Sequence, residues 1–126
     1  MKRKILIIDD TREIHNSLRM ALEYEKYEVL SAMNGQLALN VLDTLTDDQL
    51  PDVILLDLMM PVMNGHQFLE ELGNPARERF SRIPIIIMSA KHDEVFAGKF
   101  VPAATIKKPM GLNEVFETIE LLLKPI

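Results

Sequence analysis

Five short apolar runs, rich in β-branched residues and leucine, alternate along the chain with longer segments in which apolar residues recur at helical spacing. Strands that alternate with helices in sequence pair in parallel, and the helices then cover both faces of the sheet. The alternation therefore predicts one parallel sheet between two layers of helices. The predicted strands are residues 4–8, 27–31, 53–56, 84–88 and 104–107.

The segments between the strands carry start and stop signals for helices. Asp10 with Glu13, and Asn64 with Gln67, have the spacing of a capping box, and Asn34 is a candidate cap for the second helix. The third helix is expected to be short and to end at residues 73–75, and residues 76–84 are expected to form a charged, solvated connection. The predicted core-facing stripes are Ile14, Leu18, Ala21 and Leu22; Leu37, Val41, Leu42 and Leu45; and Leu112, Val115, Phe116, Ile119, Leu122 and Leu123.

Composition narrows the class of protein. A chain of 126 residues with 48% hydrophobic side chains can bury a core as one domain, so we expect a single domain over residues 1–126 without an output domain. The net charge of −5 argues against nucleic-acid binding, which depends on Lys and Arg. The chain has no cysteine and no run near the ~20 apolar residues of a membrane span, so we expect a cytoplasmic protein without disulfides or a membrane partner.

A single carboxylate, Asp57, ends the most apolar run of the chain, "VILLD". Burial of an unpaired carboxylate costs several kcal/mol, so Asp57 must reach water or meet a compensating charge. In open α/β sheets, ligands bind beyond the carboxyl ends of the strands. The polar residues at the other strand ends are Asp9 and Asp10, Ser89, and Lys107 and Lys108. If the strand order is 2-1-3-4-5, the three acids converge at one sheet edge, with a hydroxyl and an ammonium beside them.

Three neighbouring carboxylates repel one another unless a cation lies among them. Mg²⁺ prefers oxygen ligands and is commonly held by one or two carboxylates together with a phosphate. A lysine facing such a cluster would pair with phosphoryl oxygens, and an Asp carboxylate can form an aspartyl phosphate. The pattern therefore indicates a site for Mg²⁺ and a phosphoryl group.

Four motifs, "IIDD", "LLDLMMPVMNG", "IIIMSA" and "IKKP", occur in this order at the predicted strand ends. Together they resemble the receiver domain of two-component response regulators, and the resemblance runs the whole length of the chain. It implies a three-layer, flavodoxin-like (βα)5 fold with a parallel five-stranded sheet of order 2-1-3-4-5.

The resemblance also implies roles for individual residues. It implies that Asp57 is the phosphoacceptor. Mg²⁺ would be bound by Asp10, by Asp9 through a water molecule, and by the backbone carbonyl of Met59. Ser89 would be the switch hydroxyl, and Lys108 the lysine that binds the phosphoryl group. The phosphoryl group would come from a phosphohistidine on a sensor histidine kinase or a histidine phosphotransfer protein. The phosphorylated form would then bind a downstream protein or pass the group along a phosphorelay. Apart from self-phosphorylation and slow autodephosphorylation, the domain would not be an enzyme.

Two features depart from the family pattern. Thr105 stands where many receivers have an aromatic switch residue, three positions before Lys108. The interval from Ser89 to Lys108 is short and contains Gly98 and Pro102, which disfavour a helix. A short or irregular fourth helix is therefore expected, and the usual coupling to an output is in doubt.

Other functions remain open at this point. A pseudo-receiver scaffold would bind partners without phosphorylation. A Mg²⁺-dependent phosphatase with an Asp nucleophile is a further alternative, although enzymes of that kind need a second Asp two residues after the first, where this chain has Met59. Asp9 and Asp10 taken alone could simply cap the first helix. The three histidines, His15, His66 and His92, are expected at the surface and receive no role.

Overall fold

The five strands form one parallel sheet in the computed structural model of the chain, which describes residues 2–90, 96 and 100–123. The strands are β1 Lys4–Ile8, β2 Glu28–Ala32, β3 Val53–Asp57, β4 Ile85–Ser89 and β5 Ala104–Lys107. Their order is β2-β1-β3-β4-β5, and all neighbouring pairs are parallel. The structure confirms the predicted class and strand order, with single-residue differences at the ends of β2, β3 and β4.

Helices connect the strands and cover both faces of the sheet. The described residues form α1 Arg12–Tyr24, α2 Gly35–Thr44, α3 Gly65–Leu72 and α4 Leu112–Leu123, with 3-10 helices at Asp47–Gln49 and Pro75–Phe80. The predicted short or irregular fourth helix, together with Gly98 and His92, lies outside the described residues. Within the described part of the chain, no helix has the length and apolar character needed to cross a membrane.

The three central strands, β1, β3 and β4, are apolar on both faces, because each face meets its own layer of helices. Alternate residues of β1 point to opposite sides: Leu6 and Ile8 belong to one core, and Ile5 and Ile7 to the other. The first core lies under α2 and α3 and includes Ala38, Leu39, Leu42, Phe68 and Leu72. The second lies under α1 and α4 and includes Leu18, Leu22, Val115 and Ile119.

The buried face of α2 differs from the predicted stripe. Leu37 is 45% exposed, whereas Ala38, Leu39 and Leu42 are buried. The first residue of the helix lies against the loop before α3, where the Gly35 amide donates to the Met63 carbonyl at 3.1 Å. A Cβ at Gly35 would lie 3.0 Å or less from Met63 atoms, so only glycine allows this approach without a shift.

Two of the three predicted helix caps are confirmed. Asn64 and Gln67 form a reciprocal capping box at α3. Asn34 accepts from the Leu37 amide at the start of α2. The capping box predicted for Asp10 with Glu13 is wrong: the residue before α1 is Thr11, and its side chain makes no capping hydrogen bond.

The predicted solvated connection after α3 instead contains a 3-10 helix that is anchored in the protein. Phe80 is buried in the core under α2 and α3. Arg79 donates from Nη2 to the carbonyls of Leu42 and Leu45, near the end of α2, and from Nη1 to Asp47. The Leu42 carbonyl also accepts from the Leu45 amide at 3.1 Å, so the guanidinium adds a second hydrogen bond there and satisfies the Leu45 carbonyl beyond the last turn. The connection therefore secures the C-terminal end of α2.

Arg79→Ala removes these donors, and we expect it to lower the free energy of unfolding by about 1 kcal/mol, the net value of a typical hydrogen bond. Urea denaturation monitored by circular dichroism measures the change. The control is Arg82→Ala, since Arg82 is exposed and its variant should remain within about 0.5 kcal/mol of wild type. Equal stability of the two variants would contradict the proposed anchoring.

Candidate functional site

The carboxyl ends of β1 and β3 lie side by side, and their acids form a cluster. Ile8 is paired with Leu56 in register, so Asp9 and Asp57 each follow directly on a paired residue. One carboxylate oxygen from each of Asp9, Asp10 and Asp57 lies within 4.8 Å of the others. Asp9 is fully buried and Asp57 is 3% exposed, whereas Asp10 is exposed. The cluster is therefore open to solvent on the side of Asp10.

Lys108 supplies the compensating charge. Its Nζ lies 3.0 Å from Asp9 Oδ2 and 3.4 Å from Asp57 Oδ1. The backbone holds it there, because the Lys108 amide donates to the Ser89 carbonyl at 2.7 Å. The peptide bond from Lys108 to Pro109 is cis. The ammonium is thus placed between two buried carboxylates on neighbouring strands.

Backbone amides fix the orientation of the two buried carboxylates. The Thr11 amide donates to Asp9 Oδ1 at 2.8 Å, and the Met59 amide donates to Asp57 Oδ1 at 3.2 Å. Each donor lies two residues after its acceptor, so the chain turns immediately beyond the strand. The Met59 side chain is left 70% exposed. These amide donors were not predicted from the sequence, because a backbone N–H carries no residue signature.

The cluster changes the proton affinity of its members. Burial raises the pKa of Asp57, as does the charge of Asp9, and the Met59 amide and Lys108 only partly oppose this. Burial alone would lower the pKa of Lys108, but the hydrogen bond and charge of Asp9, together with Asp57, raise it. Asp57 therefore carries its charge at a free-energy cost that a cation among the acids would reduce.

The raised pKa of Asp57 predicts that Asp57→Asn stabilises the metal-free protein at neutral pH. A carboxyl group whose pKa is higher in the folded than in the unfolded state destabilises the fold when ionised, and this penalty vanishes once both states are protonated. The gain in unfolding free energy should be present at pH 7, shrink as the pH falls through the raised pKa of Asp57 in the folded state, and be lost below ~4, the range of an ordinary Asp.

The measurement is urea denaturation of both proteins in chelator across this pH range. Asp48→Asn is the control, because the hydrogen bond from Thr46 lowers the pKa of that exposed carboxyl group, so its replacement should bring no gain. A stability difference for Asp57→Asn that does not depend on pH would contradict the prediction.

Gly65, the first residue of α3, packs directly on the end of β3. Its amide donates to the Leu58 carbonyl at 3.0 Å. A Cβ at this position would lie 2.7 Å from Leu58 Cα and 2.8 Å from the Asp57 carbonyl oxygen. Both are backbone atoms, which cannot move aside as a side chain can. Glycine is therefore required where the helix meets the acid-bearing loop.

Gly65→Ala should lower the free energy of unfolding by about 2 kcal/mol, the usual cost of overpacking, although alanine favours helices more than glycine does. Thermal or urea denaturation measures it. The matched control is Gly111→Ala, because nothing lies within 4 Å of a Cβ at Gly111. Equal free energies of unfolding for the two alanine variants would show that the close approach at Gly65 does not destabilise Gly65→Ala.

Ser89 and Thr105 differ in their relation to the cluster. Ser89 ends β4, one residue beyond Met88, which pairs with Asp57, and it is buried. Thr105 pairs with Ile87, farther from the carboxyl edge, and its side chain is exposed. The structure thus places Ser89 at the same edge as the acids and Thr105 away from it.

One histidine at the site was missed by the sequence reasoning. The prediction that His15 lies at the surface is wrong, because it is 6% exposed and its Nε2 lies 2.6 Å from the Asp9 backbone oxygen. The signal was available: His15 precedes Leu18 and Leu22 by three and seven residues, which is the spacing of a buried helical stripe. His66 is partly buried and its ring lies 5.4 Å from that of Phe96.

A family profile described as the response regulator receiver domain matches residues 5–120. The chain belongs to this family. The receiver domain also has curated relatives along nearly its whole length. A probable transcriptional regulatory protein of Picosynechococcus is 35% identical, and the response regulator MprA of Mycolicibacterium vanbaalenii is 32% identical; each alignment covers 98% of the chain. The chain spans about half the length of these relatives, 50% and 52%.

Solved structures share the fold of this receiver domain. A CheY-like receiver domain protein from Methanospirillum hungatei has a TM-score of 0.80 and 27% identity, covering 97% of this chain and 94% of that one. The chemotaxis response regulator CheY4 of Vibrio cholerae has a TM-score of 0.84 at 23% identity, covering 98% and 100%. The second likeness supports the fold alone.

The residues of the acidic cluster fit a divalent cation. Receiver domains in general use Mg²⁺, and three carboxylate oxygens within 4.8 Å supply the hard oxygen ligands that this ion prefers. Burial, and after it the charge of Asp9, raise the pKa of Asp57 despite Met59 and Lys108, so a cation would stabilise its charged form. Asp10 faces solvent, which suits an ion that keeps part of its water shell. The acidic cluster of this receiver domain can therefore hold Mg²⁺.

Proposed function

We propose that this receiver domain accepts a phosphoryl group on Asp57 from a phosphohistidine of a sensor histidine kinase or histidine phosphotransfer protein. The observation that carries the proposal is the position of Asp57. Its carboxylate ends a buried strand, lies in a cluster with Asp9 and Asp10, and is 3.4 Å from the Lys108 ammonium. Response regulators in general work with histidine kinases, which supports this class of donor.

In the proposed reaction, an Asp57 carboxylate oxygen attacks phosphorus. The P–O bond forms as the P–N bond to the partner's imidazole breaks, and the imidazole nitrogen keeps the electron pair and takes up a proton. The product is an acyl phosphate on Asp57. The Met59 amide fixes the direction of the nucleophile by its hydrogen bond to Oδ1.

The groups around Asp57 have distinct proposed roles. Lys108 pairs with a phosphoryl oxygen, and the buried Ser89 hydroxyl hydrogen-bonds another. Mg²⁺ would be held by Asp9, Asp10, Asp57 and the Met59 carbonyl. When bound, it would neutralise negative charge between the carboxylates and the phosphoryl oxygens. Lys108 is shared with Asp9 before the reaction, so it can turn toward the phosphoryl group without leaving a buried carboxylate unpaired once the cation is bound.

Room for the donor lies beside Lys108. A cavity of about 640 Å³ opens there, and its lining is mostly apolar. Among the lining residues are Thr11, Ile14, Ala90, Pro109 and Met110. A partner helix could present a phosphohistidine along this cavity.

We further propose that residues 1–126 form one receiver domain that works in the cytoplasm. Its phosphorylated form would bind a downstream protein or pass the phosphoryl group along a relay. Thr105 has no aromatic ring, so readout through burial of a ring at this position cannot operate in the usual form. The pseudo-receiver alternative is disfavoured by the paired Lys108 and acidic cluster. The phosphatase alternative lacks the required second acid, since the residue two after Asp57 is Met59.

Incubation with a small phosphodonor and Mg²⁺ should add the mass of one phosphoryl group to the wild-type protein, and Asp57→Ala should abolish the addition. Intact-protein mass spectrometry measures it, and beryllofluoride gives a parallel spectral change by NMR. Asp48→Asn, which alters an exposed acid, should be modified like wild type.

Two outcomes would contradict the proposal. A wild-type protein that takes up neither phosphoryl group nor beryllofluoride would support the pseudo-receiver alternative, particularly if Asp57→Ala bound a partner as tightly as wild type. Turnover of a phosphate ester well above the loss of phosphate from Asp57 would instead support a phosphatase.

A further inference from the structure

His15 is the fourth residue of α1, and its side chain points toward the end of β1. Its ring is buried, and Nε2 is 2.6 Å from the Asp9 backbone oxygen. A carbonyl oxygen only accepts hydrogen bonds, so Nε2 must carry the hydrogen. The bond therefore fixes both the ring orientation and the position of its proton.

The other ring nitrogen makes this arrangement costly. Nδ1 is buried and has no hydrogen-bond partner among the residues that the structure describes. An unsatisfied buried polar atom costs free energy, which an alkyl side chain at this position would avoid while continuing the buried stripe of Leu18 and Leu22. What the imidazole supplies, and an alkyl chain cannot, is the N–H directed at Asp9.

The target of this bond is the peptide group that joins Asp9 and Asp10, the two acids that follow β1. Because a peptide group is planar, fixing the Asp9 carbonyl also fixes the direction in which Asp10 leaves the strand. The rest of Asp9 is held as well: its amide donates to Ala32 at 3.2 Å, and its carboxylate accepts from Thr11 and Lys108. Asp10, by contrast, is exposed, so its placement depends on the backbone before it.

We propose that His15 is a positioning residue that holds the peptide between Asp9 and Asp10, so that both carboxylates can share a divalent cation with Asp57. The inference rests on the cation site of the proposed function but not on phosphoryl transfer. His15 touches the backbone of a ligand-bearing residue and acts through it. Partners of this kind commonly affect metal affinity by tenfold or more when they are removed.

Three variants separate the hydrogen bond from the bulk of the ring. In His15→Gln, the terminal amide nitrogen reaches about as far as Nε2 and can donate to the same carbonyl. In His15→Asn, the amide stops at the distance of Nδ1 and cannot reach it. His15→Leu fills much of the same space with no donor.

The measurement is the affinity of the folded proteins for Mg²⁺ by calorimetry and for Mn²⁺ by paramagnetic resonance. His15→Asn and His15→Leu should bind about tenfold more weakly than wild type, and His15→Gln should keep most of the affinity. In the wild type, nitrogen NMR of the imidazole should show the hydrogen on Nε2. Circular dichroism confirms that each variant is folded, and if His15→Leu is not, the comparison of Gln with Asn still decides.

Each other outcome overturns the inference. Equal metal affinity in wild type, Asn and Leu variants, with only stability lowered, would mean that His15 is a packing residue. Equal losses in the Gln and Asn variants would exclude the hydrogen bond as the cause. A wild type that binds neither ion overturns this inference and the cation site together, whereas one that binds ions but takes no phosphoryl group overturns only the proposed function.

Discussion

The pairing of β1 with β3 is the interaction on which the site depends. Four residues of each strand are in register, from Ile5 with Val53 to Ile8 with Leu56, and all eight are fully buried. A one-residue shift of this register would move Asp9 and Asp57 apart along the strands, and it would also exchange side chains between the two cores. The core energetics that select the fold therefore also hold Asp9 and Asp57 at one edge.

Placing carboxylates at this edge creates a cost that the neighbouring elements offset only in part. Lys108, the residue directly after β5, pairs with both buried acids. Burial and the charge of Asp9 nevertheless raise the pKa of Asp57. The residual negative charge makes the edge receptive to a cation, and the lysine makes it receptive to an anion that arrives with the cation. The close contact of Gly65 with the Asp57 carbonyl links α3 to the same point.

Errors in the sequence predictions have a common origin in packing between elements. The strands were placed to within one residue, since continuous apolar runs between helical segments are a strong local signal. The predicted stripe on α2 was rotated, because two faces of that helix are apolar and the contacts that bury Ala38, Leu39 and Leu42 are not visible in the local sequence. His15 was taken as a surface residue although its spacing to Leu18 and Leu22 is that of a buried stripe, and its hydrogen-bond partner is a backbone carbonyl, which has no sequence signature. The anchoring of α2 by Arg79 was missed for the same reason.

The local sequence pattern was enough to predict the parallel sheet and the acids, hydroxyl and lysine at the strand ends, because periodicity and residue type can be read directly from the sequence. The strand order came from the family resemblance. The distances between the side chains could not be predicted. Three features depend on register, helix rotation and backbone turns: Lys108 reaches both Asp9 and Asp57, Thr105 pairs with Ile87 two residues before the end of β4, and His15 holds the Asp9 carbonyl. These follow from contacts between residues far apart in sequence, which no local pattern records.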